Sequence, residues 1–110
     1  MRGEGAGPQP GVMSDDHTIL RIEHPVPDYD RWKEAFDSDP VGRERMGVRG
    51  YRLLRAADDP NYVMIDLEFA SRREADGLLA AMREIWSRAG HMLTANQQAR
   101  IAETVETKEY

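Results

Sequence analysis

The chain has 110 residues, 40% hydrophobic and 32% charged, with a net charge of -5. That length is enough for one domain and too short for two, and no apolar run approaches the roughly 20 residues a membrane-spanning helix needs. Cysteine is absent, which excludes disulfides, thiolate metal sites, iron–sulfur clusters and a Cys nucleophile, and the negative balance argues against a general affinity for phosphate backbones.

Residues 1–16, MRGEGAGPQPGVMSDD, are rich in Gly and Pro and have almost nothing to bury, so they read as a disordered extension. Residues 1–12 look tag-like or misassigned, with Met13 opening a more natural start, MSDDH. A secretory signal needs an apolar central region, which this segment does not contain, and a Cys-free chain without targeting signals fits a cytoplasmic protein. The folded domain is expected over residues 17–107, with 108–110 as a tail.

His17–His24 (HTILRIEH) reads as a strand stopped by Pro25 and Pro27. Period-2 alternation puts Leu20, Ile22 and His24 on one face and Ile19, Arg21 and Glu23 on the other. Asp28 is placed to cap a helix in which Tyr29, Trp32 and Phe36 form an aromatic stripe and Lys33 can pair with Asp37 one turn on. Pro40, Gly42 and Gly47 make residues 38–47 a loop or a short helical turn. Val48–Ala56 is a second strand, Ala57–Asn61 (ADDPN) carries turn chemistry, and Tyr62–Phe69 (YVMIDLEF) is a third strand, so the two strands form an antiparallel hairpin.

Ser71-Arg72-Arg73-Glu74 is a capping box opening a second helix that runs to about Ala89, where Gly90 is a natural left-handed stop. Ala75, Leu78, Leu79, Met82, Ile85, Trp86 and Ala89 recur on one helical face. His91–Gln98 reads as a polar connection and Arg100–Glu106 as a last strand. The order βαββαβ gives a ferredoxin-like α+β sandwich: a four-stranded antiparallel sheet with both helices on one face.

The helices claim Leu20, Ile22, Tyr51, Leu53, the Val63–Phe69 alternates, Ile101 and Val105. The other face carries Ile19, Leu54, Tyr62 and Met64 among Arg21, Arg52, Arg100, Glu23, Asp66 and Glu68, a sign-balanced mixture that is neither clearly solvent-like nor core-like. Such a face either stands in water or meets a copy of itself, and a homodimer through the sheet face is the favoured outcome.

HPV (His24–Val26) before DYDRWKEAFD (Asp28–Asp37), GVRGYRLLR (Gly47–Arg55) and the acidic turn DDPN (Asp58–Asn61) together resemble small bacterial proteins of the dimeric α/β-barrel superfamily. The likeness is to its antibiotic-biosynthesis-monooxygenase-like and polyketide-cyclase-like groups, and it spans about residues 17–107. It implies dimerisation through the sheet and a ligand pocket between helices and sheet in each subunit. It also implies a range of activities, from cofactor-free oxygenation to cyclisation, and many members without a known role. The haem-degrading branch uses an Asn on the first strand with a Trp and a haem-ligating His in the helical layer. His17–His24 contains no Asn, although Trp86 and His91 could stand in for the other two.

Within that frame, His24 at the end of the first strand is the candidate general acid/base, or else a strand-end His bonding a loop carbonyl. Trp32, Trp86 and Tyr51 are candidate lining for a flat aromatic ligand, or else plain core, and His91 is a further candidate contact, or a loop residue. Neither a metal nor a cofactor is expected: His17 and His24 are seven apart on one strand, and no His pair has metal-binding helical spacing. Arg43, Arg45, Arg49, Arg52 and Arg55 form a basic run, yet a strand splits it between two faces, and the sheet lacks the stacking aromatics of an RNA reader, so nucleic acid is not an expected partner. A small aromatic ligand is. The alternative to an enzyme is a ligand-binding or structural dimer without catalysis.

Overall fold

A computed structural model describes residues 18–89 and 97–110. Its elements are β1 (Thr18–Pro25), α1 (Tyr29–Ser38), β2 (Gly50–Ala56), β3 (Asp59–Phe69), α2 (Arg72–Ala89) and β4 (Gln98–Glu103). The strands form one antiparallel sheet in the order β2-β3-β1-β4. This is the ferredoxin-like α+β arrangement expected from the sequence. The expectations for residues 1–16, for Gly90 and for His17 and His91 lie outside the described residues.

Register assigns the faces. Leu20 pairs with Leu67 and Ile101, Ile22 with Ile65 and Ala99, and His24 with Val63. Tyr51 and Leu53 continue the same rows onto β2. Leu20, Ile22, Val63, Leu67, Phe69 and Leu78 are fully buried in one core that also takes Trp32 and Phe36 from α1 and Ala75 and Leu79 from α2. Burying each of the larger apolar side chains contributes about 1.5–3 kcal/mol. On the opposite face one row reads Arg52, Asp66, Arg21, Arg100 across the four strands. There Arg21 holds Asp66 through two hydrogen bonds of 2.8 Å each.

The local signals act as the sequence suggests. Asp28 is extended and accepts from the Asp30 N–H at 3.0 Å and the Arg31 N–H at 3.5 Å, starting α1. Ser71 Oγ accepts from the Glu74 N–H at 3.2 Å, starting α2. Lys33 and Asp37 meet at 2.6 Å on the outside of α1.

Four boundaries move. β1 runs through Pro25, which pairs with Tyr62, where the sequence suggested a stop at His24. The hairpin turn shrinks to Ala57-Asp58, because Ala56 already pairs with Asp59 and an irregularity after Arg55 shifts the register by three, passing over Pro60, Asn61 and Tyr62 of β3. β2 starts at Gly50, not Val48, although the Arg49 N–H already donates to Glu68 O at 2.8 Å. The expected strand Arg100–Glu106 is instead Gln98–Glu103, and Val105 is 91% exposed rather than in the core. β4 pairs with β1, and Glu103 already sits opposite Thr18, so among the described residues no rung lies beyond it.

Candidate functional site

Each helix packs on the sheet, α1 over β3 and α2 over β1, β3 and β4, but the two do not pack on each other. Directly packed helices lie roughly 8–10 Å apart axis to axis. The wider separation here leaves a cavity of about 100 Å³ between them. Ile22, Ile65 and Leu67 of the sheet form its floor. Trp32, Ala35 and Phe36 of α1 face it from one side, and Met82, Ile85 and Trp86 of α2 from the other. Pro40, Val41 and Arg43 of the α1–β2 connection complete it, with His24 at the end of β1. A wall this apolar suits a flat hydrophobic ligand, and His24 and Arg43 are its two ionisable side chains.

His24 is 2% exposed. Its Nδ1 lies 3.0 Å from Pro25 O. A carbonyl oxygen can only accept, so Nδ1 carries the hydrogen and Nε2 keeps its lone pair. Among the described residues nothing hydrogen-bonds Nε2. Burial pushes the imidazole below its ordinary value, and the Pro25 carbonyl opposes this to a smaller extent. The side chain is therefore a neutral base on an apolar wall at neutral pH. The Trp32 ring stands edge-on to it at 6.1 Å.

Trp32 is the centre of a run of rings. It stacks on Phe36 at 5.1 Å and contacts Tyr29 at 6.0 Å, as i, i+3 and i+4 neighbours on one helix must. The turn motif DDPN sets where that helix begins: Asn61 O accepts from the Val26 N–H at 2.7 Å, and Asn61 Oδ1 accepts from the Tyr29 N–H at 3.0 Å. The hairpin thereby fixes the entry of α1, and with it the depth of Trp32.

The structure thus brings His24, Trp32 and Trp86 to one cavity. It does not bring Tyr51 there. Tyr51 lies on the edge strand β2, beyond the cover of the helices, is 48% exposed, and packs against the outer side of Phe36 with ring centres 5.2 Å apart.

Two residues were missed from the sequence. Arg43 stood only as one of five arginines in a basic run. Here Asp39, in a left-handed conformation, ends α1, and its carboxylate accepts from the Arg43 N–H at 2.9 and 3.1 Å. That turn folds Arg43 back so that its guanidinium lies 3.9 Å above the Phe36 ring. The Asp39–Arg43 spacing within a Pro- and Gly-containing loop was the available signal. Gln97 is the second. Its Nε2 is buried without a hydrogen-bond partner among the described residues. The last rung pairs Gln98 with Glu23, so Gln97 falls next to the end of β1 where His24 sits.

Among the described residues no cluster of His, Cys, Asp and Glu could hold a metal ion, and no helix is long and apolar enough to cross a membrane.

No family model matches the chain, and no curated protein matches it in sequence. Solved structures do share its shape. SnoaB, a cofactor-independent oxygenase from Streptomyces nogalater, superposes with a TM-score of 0.68 at 16% identity, over 84% of this chain and 96% of that one. A candidate antibiotic biosynthesis monooxygenase from Nitrosomonas europaea gives 0.61 at 17% identity, over 86% and 95%. A dimeric ferredoxin-like protein from an uncultured marine organism gives 0.61 at 11% identity, over 84% and 99%. At these identities the likeness establishes a common fold.

Proposed function

We propose that the protein is a homodimer with one cavity per subunit that takes a flat aromatic compound and oxygenates or cyclises it without a cofactor, with His24 as the base. The observation that carries this is a buried, neutral imidazole, its tautomer set by Pro25 O, on the wall of a cavity otherwise built of apolar and aromatic side chains apart from Arg43. The cofactor-independent oxygenase with the same fold supports the reaction class. The dimeric relative in shape supports self-association. So does the sheet's outer face, where Leu54 is 40% exposed beside half-buried Met64 and Tyr62.

In the oxygenation, His24 Nε2 takes a proton from an acidic ring hydroxyl or an activated methylene. The electron-rich anion reduces dioxygen at a carbon that still bears a hydrogen and becomes a peroxide there. Loss of water leaves a carbonyl, so one oxygen atom stays in the product and the other departs as water. The proton returns with the departing oxygen and His24 is neutral again. Trp32 and Trp86 hold the ring system and keep water away from the anion.

An oxygen electrode tests this with an anthrone as probe. His24→Ala should lower turnover by about 10²–10⁴-fold, the usual contribution of a positioned base. Unchanged turnover would remove His24 from the mechanism. The competing reading is a binder that does no chemistry, and the His24–Pro25 hydrogen bond by itself would suit it. Binding without oxygen uptake by the native protein would select that reading.

A further inference from the structure

We infer that Arg43 makes the cavity selective for an aromatic carboxylate over its uncharged counterpart. The inference rests on the cavity being a ligand site, as proposed above, and goes on to name the class of ligand.

Arg43 is held from three directions. Its Nη1–H donates to Phe36 O at 2.8 Å, a carbonyl in the last turn of α1 that also accepts from the Asp39 N–H at 3.1 Å. Its guanidinium lies flat over the Phe36 ring, 3.9 Å from the centroid, with the Tyr51 ring 5.2 Å away on the exposed side. Asp39 stands 3.6 Å from Nη1, too far for a good hydrogen bond, and its two oxygens are already engaged by the Arg43 N–H. The Arg43 side chain is only 14% exposed.

A guanidinium has five N–H donors. Here the bond to Phe36 O uses Nη1, while Nε and Nη2 make no hydrogen bond among the described residues. These two atoms form the side-on edge of the fork, which matches the two oxygens of one carboxylate. The edge belongs to a side chain fixed before any ligand arrives, so little side-chain freedom is lost on pairing. Arg43 lines the cavity, so a neutral ligand seated against its guanidinium would strip water from these donors and give nothing back, which is the more costly half of hydrogen-bond energetics. His24 cannot make this selection. It is neutral, and its free atom is an acceptor. The two groups therefore divide the ligand: an anionic end for Arg43, an acidic proton for His24 Nε2, and a planar ring between the walls.

Titration calorimetry with 2-naphthoate and 2-naphthamide tests this. The two probes share a ring and a shape and differ in charge. The native protein should bind naphthoate about 10- to 100-fold more tightly, the range of a charge-assisted hydrogen-bonded contact. Arg43→Gln should abolish that preference, bringing the affinities for the two probes within about threefold of each other. Arg43→Lys keeps the charge but not the fork and should retain part of the preference. Equal binding of both probes by the native protein, or a preference that survives in Arg43→Gln, overturns the role of Arg43 and leaves the cavity as a ligand site. Binding of neither probe overturns the cavity reading and this inference with it. Arg43→Lys supplies the comparison if Arg43→Gln fails to fold, and an undiminished preference there also overturns the role of the fork.

Discussion

Alanine at Gly47 and alanine at Gly77 should shift stability in opposite directions, for reasons the backbone supplies. Gly47 has φ +105° and lies in the segment that carries Arg43 to the cavity. That angle is well past the left-handed well near +57°, so a side chain there costs about 2–3 kcal/mol, the upper part of the range for strained backbone. A Cβ would also come within 2.9 Å of the Glu74 carboxyl carbon and 3.0 Å of its Oε2. Glu74 is a flexible side chain and can swing away, which would give up its 3.4 Å contact with the Ser71 hydroxyl at the start of α2. The backbone angle therefore dominates and the contact adds a few tenths of a kcal/mol. Gly77 lies mid-helix on the exposed side of α2, and a Cβ there meets nothing within 4 Å. Alanine should stabilise by about 0.5–1 kcal/mol through helix propensity. Urea titration at one fixed protein concentration reads both changes, because a dimer's midpoint moves with concentration. The midpoint should fall by about 1–2 M for Gly47→Ala and rise by about half a molar for Gly77→Ala, with unchanged slopes. A Gly47→Ala protein as stable as the native one would refute the positive angle and the placing of Arg43 that depends on it.

Stability should fall on acidification below about pH 6.5, because burial holds the folded His24 below its ordinary value and protons bind the unfolded chain first. His24→Gln should flatten that part of the pH profile, and an unaltered profile would place the loss elsewhere. Asp28→Ala should cost about 1 kcal/mol by freeing the first N–H groups of α1, visible as a lower melting temperature that Asp28→Ser largely restores. A double-mutant cycle on Arg21 and Asp66 reports on the sheet face. The Arg21 side chain is 60% exposed in the single subunit, where such a pair couples by no more than about 1 kcal/mol. A second copy over the face should raise the coupling to about 2 kcal/mol or more, and a smaller value at concentrations where the dimer should persist would leave the face in water.

Much of the architecture is written locally. The alternation in YVMIDLEF assigns β3's two faces because strand geometry has a period of two and nothing else satisfies both a core and an outer surface. Asp28 and Ser71 mark helix starts because a free N–H needs an acceptor within the first turn. The end of β4 was less legible: Ile101 and Val105 look alike in sequence, but pairing with β1 stops at Glu103 and leaves Val105 outside. Tyr51 alternates correctly toward the helical side, yet an edge strand extends past the helices that would cover it.

The sequence by itself determined the elements, their order and the face each side chain takes, because these follow from interactions between residues near in the chain and from one repeating period. Only the tertiary structure decided that α1 and α2 stand apart over the sheet and leave a cavity, that Pro25 O selects the proton-bearing nitrogen of His24, and that Asp39 turns Arg43 back onto Phe36. Helix spacing depends on how side chains from distant segments fill the volume between layers, and no local pattern encodes that sum.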